Sequence, residues 1–261
     1  MTDEQYTSAE MMTVAAARAL GDDDICFVGI GLPSAACNLA RLTHAPRLKL
    51  VYESGTIETK PAVLPLSIGD GELCETALTT VSVPEMFQYW LQGGRISVGF
   101  LGGAQVDRFG NLNSTVIGSY AHPKVRLPGS GGATEIATGC GRIYIVMRQN
   151  ARAFVQKLDF MTSLGHGATG RERRQLGVPT DGPVLIVTDL CMMKPDPETK
   201  EFEVASLHPG VTRATVEGRT GWSIRFADRV EETPPPTPHE LEVLRDLNAR
   251  TARAHGSTAV E

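Results

Sequence analysis

The sequence predicts an α/β fold built on an open, mostly parallel sheet flanked by helices. Apolar runs at 25–30, 143–147 and 184–190 have the character of strands buried on both faces, as parallel sheets require. The first run passes through a glycine turn into a helical stretch and then a second strand. That is a βαβ unit, whose loops gather at the carboxyl ends of the strands, where ligands bind. No internal repeat and no clear boundary interrupts the chain, so residues 1–261 read as one domain.

The elements follow in order. Thr7 and Glu10 have capping-box spacing, which opens a helix through Leu20 that Gly21 closes. Ile25–Ile30 is the first strand, Ser34 can cap a helix over 34–42, and Leu48–Tyr52 is the second strand. Pro84 opens a short helix over 84–92, and Ile96–Leu101 is a strand running into Gly102 and Gly103. Strands at Ile143–Met147 and Val184–Leu190 come next, then a shorter pair at Phe202–Leu207 and Trp222–Phe226. Pro234–Pro238 is a stiff connector to a helix at about 238–255, with Leu241, Leu244 and Leu247 along one face. Residues from Gly256 onward are expected to fray.

Composition limits the function. The net charge of −5, from 25 basic and 30 acidic residues with no basic patch, disfavours nucleic acid and anionic membrane as partners. A polyanionic ligand must therefore be held by a local cluster of donors. The five cysteines, Cys26, Cys37, Cys74, Cys140 and Cys191, lie far apart without C-x-x-C or His-rich spacing. That argues against zinc and disulfides and for buried free thiols in a reducing cytosol. The N-terminus is polar and acidic, unlike a signal peptide, and no apolar run approaches the roughly 18 residues of a membrane span. The chain reads as cytoplasmic.

Several motifs could carry chemistry. Gly29-Ile30-Gly31-Leu32-Pro33-Ser34 joins a strand to a helix, where backbone N–H groups approach an anion. Glu53, 24 positions after Gly29, completes part of a dinucleotide layout, but Ser34 replaces the third glycine and Pro33 intrudes. A nicotinamide site and a tight turn serving another ligand both stay open. Val51-Tyr52-Glu53-Ser54-Gly55-Thr56 puts a carboxylate at a strand end among small residues, ahead of a long Gly/Pro-rich loop. A solvated acid and a reactive one both fit. Gly129-Ser130-Gly131-Gly132 could cradle phosphate or an oxyanion, or form a plain turn, and it lacks the ending of a nucleotide P-loop. Asp107 and Asn111 read as turn formers around Gly110, His208 as structural ahead of catalytic, and Thr212 as a helix cap.

Taken in order, G-I-G-L-P, Y-E-S-G, Q-V-D-R-F-G-N, G-S-G-G-A and L-H-P-G-V-T resemble the β subunit of the family I CoA-transferases over nearly the whole chain. Y-E-S-G departs from the S-E-N-G form of the acetoacetate and succinyl enzymes and is similar to the glutaconate-type branch. E-M-M-T-V-A-A-A-R-A-L, L-P-L-S-I-G-D-G-E-L and D-L-C-M-M-K-P-D-P-E-T-K-E resemble the β subunits of the bacterial 3-oxoadipate enzymes more closely still. The resemblance implies a fold related to ribose-phosphate isomerases and a homologous α chain, often in an α2β2 assembly. It implies Glu53 as nucleophile, with CoA moved from succinyl-CoA to 3-oxoadipate in aromatic catabolism. Acyl-CoA and a dicarboxylic or oxo acid are then substrates, with no metal and no resident cofactor. Gly129, Gly131 and Gly132 by resemblance, and Gly29, Gly31 and Ser54 by position, would serve CoA or the oxyanion. Related steroid-degrading hydrolases lack the glutamate, so Glu53 argues against that reading. A glutaconate-type or other dicarboxylate transferase, a CoA-thioester hydrolase and a non-catalytic scaffold remain the alternatives.

Overall fold

The computed structural model describes residues 6–256; the N-terminal polarity at 1–5 and the fraying read for 257–261 lie outside them. The chain divides into two compact units, Met1–Val98 with Pro235–Glu261, and Gly99–Pro234.

The first unit opens with α1 (Ser8–Arg18). Thr7 Oγ1 accepts the Glu10 N–H at 3.1 Å, and the Glu10 carboxylate accepts the Thr7 N–H at 2.7 Å. The helix stops two residues before Leu20, capped at Ala19, because Leu20 turns in to the core. Strand β1 (Ile25–Phe27), helix α2 (Leu32–Leu42) and strand β2 (Lys49–Val51) form the βαβ unit, with β1 and β2 parallel. Ser34 is not the cap of α2: that position is Gly31, at φ +81°, and Ser34 lies buried inside the first turn. Short strands β3 (Thr56–Ile57) and β4 (Thr79–Thr80), with the single turn α3 (Glu72–Glu75) between them, add an antiparallel edge in the order β1-β2-β3-β4. Helix α4 (Val83–Glu85) runs on as a π-helix over Met86–Leu91. It is opened by a Ser82–Glu85 capping box, not by Pro84, which sits within the first turn.

The second unit runs through β5 (Val98–Leu101), which straddles the division, β6 (Gln105–Val106), β7 (Leu112–Asn113), β8 (Val116–Gly118), β9 (Pro123–Arg126), α5 (Ala133–Gly139), β10 (Arg142–Val146), α6 (Glu172–Gln175), β11 (Gly182–Val187), β12 (Cys191–Pro195), β13 (Phe202–Leu207), α7 (Arg213–Gly218) and β14 (Arg225–Glu232). Its main strands lie in the order β14-β13-β12-β11-β10-β5, parallel at β10–β11 and β13–β14 and antiparallel around β12. The expected class is present: open sheet strands flanked by helices, parallel inside and antiparallel toward the edges. Trp222, read as strand, precedes β14 and stacks on Phe154 at 5.9 Å. Asp107 and Asn111 build the turn around Gly110, the Asp107 carboxylate accepting the Phe109 N–H at 2.9 Å. Thr212 caps α7.

Helix α8 (Pro238–His255) returns to the first unit. It buries Leu241, Leu244 and Leu247, and it is tied to α1 by Arg18–Glu240 at 2.6 Å and Arg245–Glu10 at 2.6 Å. Its far end holds the Gly/Pro-rich loop: the Leu64 N–H donates to Thr251 Oγ1 at 2.9 Å, and His255 Nε2 meets the Leu64 carbonyl at 3.0 Å. No helix among the described residues is long and apolar enough to cross a membrane.

Candidate active site

Because β1 and β2 are parallel in the register Phe27↔Val51, the Gly29–Gly31 loop and the Tyr52–Gly55 turn leave the sheet at the same, carboxyl, end. The Val28 N–H donates to the Val51 carbonyl at 2.9 Å and holds the two exits together. Beyond β2 the chain reverses at once. The Gly55 N–H donates to the Tyr52 carbonyl at 2.9 Å, and the Tyr52 N–H to the Thr56 carbonyl at 3.1 Å. Glu53 and Ser54 are therefore the two central residues of a β-turn, both half-buried and neither at positive φ. A carboxylate at the tip of a pinned turn can be aimed, which a loop acid cannot.

Gly55 answers a steric demand. At φ +105°, a Cβ on it would lie 2.0 Å from the Val81 carbonyl oxygen, and the Val81 N–H donates to the Gly55 carbonyl at 2.9 Å. Gly31 needs positive φ but has open space around it; Gly29 needs neither, since its Cβ would make only ordinary contact with the Pro33 ring at 3.6 Å. The first turn of α2 carries no side-chain cap, so it presents uncapped N–H groups at the same end of the sheet as Glu53.

Behind the turn lies a buried polar group. The Tyr52 hydroxyl meets Ser34 Oγ at 2.8 Å, Asn38 Nδ2 donates to the Ser34 carbonyl at 2.9 Å, and Arg41 Nη2 donates to Asn38 Oδ1 at 3.1 Å. Burial pushes the Tyr52 phenol well above its ordinary pKa, so it stays protonated, and burial lowers that of Arg41. The hydroxyls of Ser54 and Thr56 are buried with no hydrogen-bond partner among the described residues. A family model for coenzyme A transferases matches residues 9–218. The chain belongs to the coenzyme A transferase family.

The B subunit of 3-oxoadipate CoA-transferase from Pseudomonas knackmussii is 63% identical over 256 residues, 98% of each chain. The corresponding subunit of glutaconate CoA-transferase from Acidaminococcus fermentans is 37% identical over 249 residues, 92% of each. The crystal structure of glutaconate coenzyme A-transferase from that organism superposes with a TM-score of 0.87 at 33% identity, covering 93% of this chain and 95% of that one.

In this coenzyme A transferase the candidate residues fall in both units. Gly29, Gly31, Glu53 and Ser54 share the first; Gly129, Gly131 and Gly132 belong to the second. There, Gly129 (φ +98°) and Gly131 (φ +49°) take conformations that favour glycine with open space at each Cβ, and Gly132 precedes α5. Ser114 pins the loop, accepting the Gly129 N–H on its carbonyl at 2.9 Å and donating its hydroxyl to the Gly129 carbonyl at 2.8 Å. His208 is buried, its Nε2 on the Thr188 carbonyl at 2.8 Å, which is a packing role. Cys26, Cys37, Cys140 and Cys191 are buried free thiols, whereas Cys74 is exposed. No cluster of three or more His, Cys, Asp or Glu among the described residues could hold a metal ion. Sequence reasoning misses Tyr52 and Gly55 as parts of the site. For Tyr52 a signal was available: a tyrosine ending an apolar strand must find a partner for its hydroxyl.

Proposed function

We propose that this chain is the catalytic β subunit of an acyl-CoA:carboxylate CoA-transferase, with Glu53 as nucleophile. The observation that carries the residue assignment is the pinned turn, which offers the Glu53 carboxylate at the carboxyl end of a parallel strand pair beside the uncapped first turn of α2. A carboxylate with an ordinary pKa of about 4.3 is ionised at neutral pH, so attack needs no histidine base. Its oxygen adds to the thioester carbonyl, the C–S bond breaks, and CoA leaves as thiolate from a mixed anhydride. The thiolate attacks the glutamyl carbonyl, releasing the first acid as carboxylate and leaving a glutamyl–CoA thioester. The incoming carboxylate attacks that thioester and expels CoA thiolate. The thiolate then takes the new acyl group from the anhydride, and Glu53 is regenerated.

Each tetrahedral intermediate needs N–H or O–H donors. Ser54, whose buried hydroxyl has no partner among the described residues, and the Gly29–Gly31 backbone are the candidates in the first unit. Gly129, Gly131 and Gly132 are those in the second, serving CoA or the oxyanion. The likeness to the Pseudomonas protein supports succinyl-CoA and 3-oxoadipate as the donor and acceptor, in aromatic catabolism in the cytoplasm. It also supports a homologous α subunit as partner, in an α2β2-type assembly, with residues 1–261 working as one β-subunit domain. CoA is a substrate, with no metal and no resident cofactor required.

The test is to co-express the chain with a homologous α subunit and assay transfer to 3-oxoadipate and to glutaconate. Ping-pong kinetics are expected with 3-oxoadipate preferred, with no activity from the isolated chain and none from Glu53→Ala. Substantial transfer by Glu53→Ala would refute the nucleophile; preference for glutaconate would refute the acceptor.

A further inference from the structure

The residue before the candidate nucleophile is held on three sides. Tyr52 is 0% exposed, its N–H and carbonyl both close the Glu53 turn, and its hydroxyl bonds Ser34 in the first turn of α2. Ser34 is itself 0% exposed and is backed by Asn38 and then Arg41, which reaches the Pro61 carbonyl at 3.2 Å. Packing alone does not account for the phenol. Phenylalanine would fill the same space, and a buried hydroxyl is a cost unless it is bonded. What the hydroxyl adds is a directional link between the strand end that carries the turn and the helix whose N-terminus stands beside it.

We infer that Tyr52 is a positioning residue, whose hydrogen bond to Ser34 fixes the Glu53 turn relative to α2 so that the carboxylate meets the thioester carbonyl in line. The inference rests on Glu53 being the nucleophile. Attack by a weak nucleophile depends steeply on geometry, and an error of about 1 Å costs roughly a hundredfold. The link therefore acts on the chemical step and leaves acyl-CoA binding alone.

The experiment compares Tyr52→Phe, Ser34→Ala and the double variant with wild type and Glu53→Ala, all in the two-subunit enzyme. Tyr52→Phe strands the buried Ser34 hydroxyl and is expected to lower the melting midpoint; removing both hydroxyls is expected to restore most of it. The rate is expected not to follow. In both Tyr52→Phe and the double variant, kcat should fall about 10- to 100-fold with KM for acyl-CoA within about twofold. If kcat recovers along with the midpoint in the double variant, or Tyr52→Phe stays within twofold of wild type while Glu53→Ala is inactive, the positioning role is overturned and the nucleophile stands. If Glu53→Ala itself retains transfer, the nucleophile falls and this role falls with it.

Discussion

Replacing Gly55 by alanine tests whether the Glu53 turn is held by contact with the strand edge. A Cβ there would lie 2.0 Å from the Val81 carbonyl oxygen and 3.1 Å from its carbon, on a backbone at φ +105°. Restoring ordinary contact means parting Gly55 from Val81 by about 1 Å, which also stretches the 2.9 Å Val81-to-Gly55 hydrogen bond. Strain at such a backbone position costs about 1–3 kcal/mol, and a weakened bond about 1 more, giving a loss of about 2–4 kcal/mol. A shift of that size in the turn should lower kcat roughly a hundredfold. Gly94→Ala is the control. It also has positive φ (+71°) but nothing within 4 Å of its Cβ, so it should cost about 1–2 kcal/mol and leave kcat unchanged. Denaturant midpoints and transfer rates of the two-subunit enzyme give both readings. If Gly55→Ala is no less stable than Gly94→Ala and keeps kcat within threefold, the turn is not held as described.

Arg173 is buried with its guanidinium donating to the carbonyls of Ala137 at 2.8 Å, Thr180 at 2.9 Å and Gly165 at 3.2 Å. Arg173→Met should destabilise by about 3–5 kcal/mol in denaturant melts, and Arg173→Lys should rescue little, because one ammonium cannot span the fork. His166, buried with Nε2 on the Pro183 carbonyl at 2.8 Å, has its pKa pulled by burial from 6.5 to about 4. The folded state thus binds this proton more weakly than the unfolded one. Stability is full above pH 6.5 and lost as pH falls toward 4, by on the order of 3 kcal/mol, and His166→Gln should flatten that slope. Millimolar NAD should leave the melting midpoint unchanged, while acyl-CoA at roughly 100 times its Kd should add about 2.7 kcal/mol to the two-subunit enzyme. Saturable NAD protection would overturn the assignment of the Gly29–Gly31 loop.

Local rules make the sequence legible as far as they apply. The Thr7–Glu10 capping box, the βαβ unit and the Thr212 cap are short-range features whose partners lie close in the chain, and each can be read directly. Ser34 has the look of a cap, but its hydroxyl has a better partner 18 residues away, in Tyr52. Strand β12 escapes notice because its stability comes from antiparallel neighbours on both sides, and its sequence, ending in Pro195, carries weak strand character. Arg173 is invisible as well: a buried arginine satisfied by carbonyls has no signature in spacing. At the candidate site, Glu53 is legible by resemblance and by its place at a strand end. The need for glycine at Gly55 depends on Val81, and only the fold reveals that contact.

The most direct test of the account is to trap the covalent intermediate. The two-subunit enzyme is incubated with succinyl-CoA and no acceptor acid, treated with borohydride or hydroxylamine, digested, and mapped by mass spectrometry. The account predicts a reduced or hydroxamate side chain at Glu53 alone, formed with release of succinate and absent when succinate replaces succinyl-CoA. An unmodified Glu53 in an enzyme that turns over, or the modification on another residue, would contradict it.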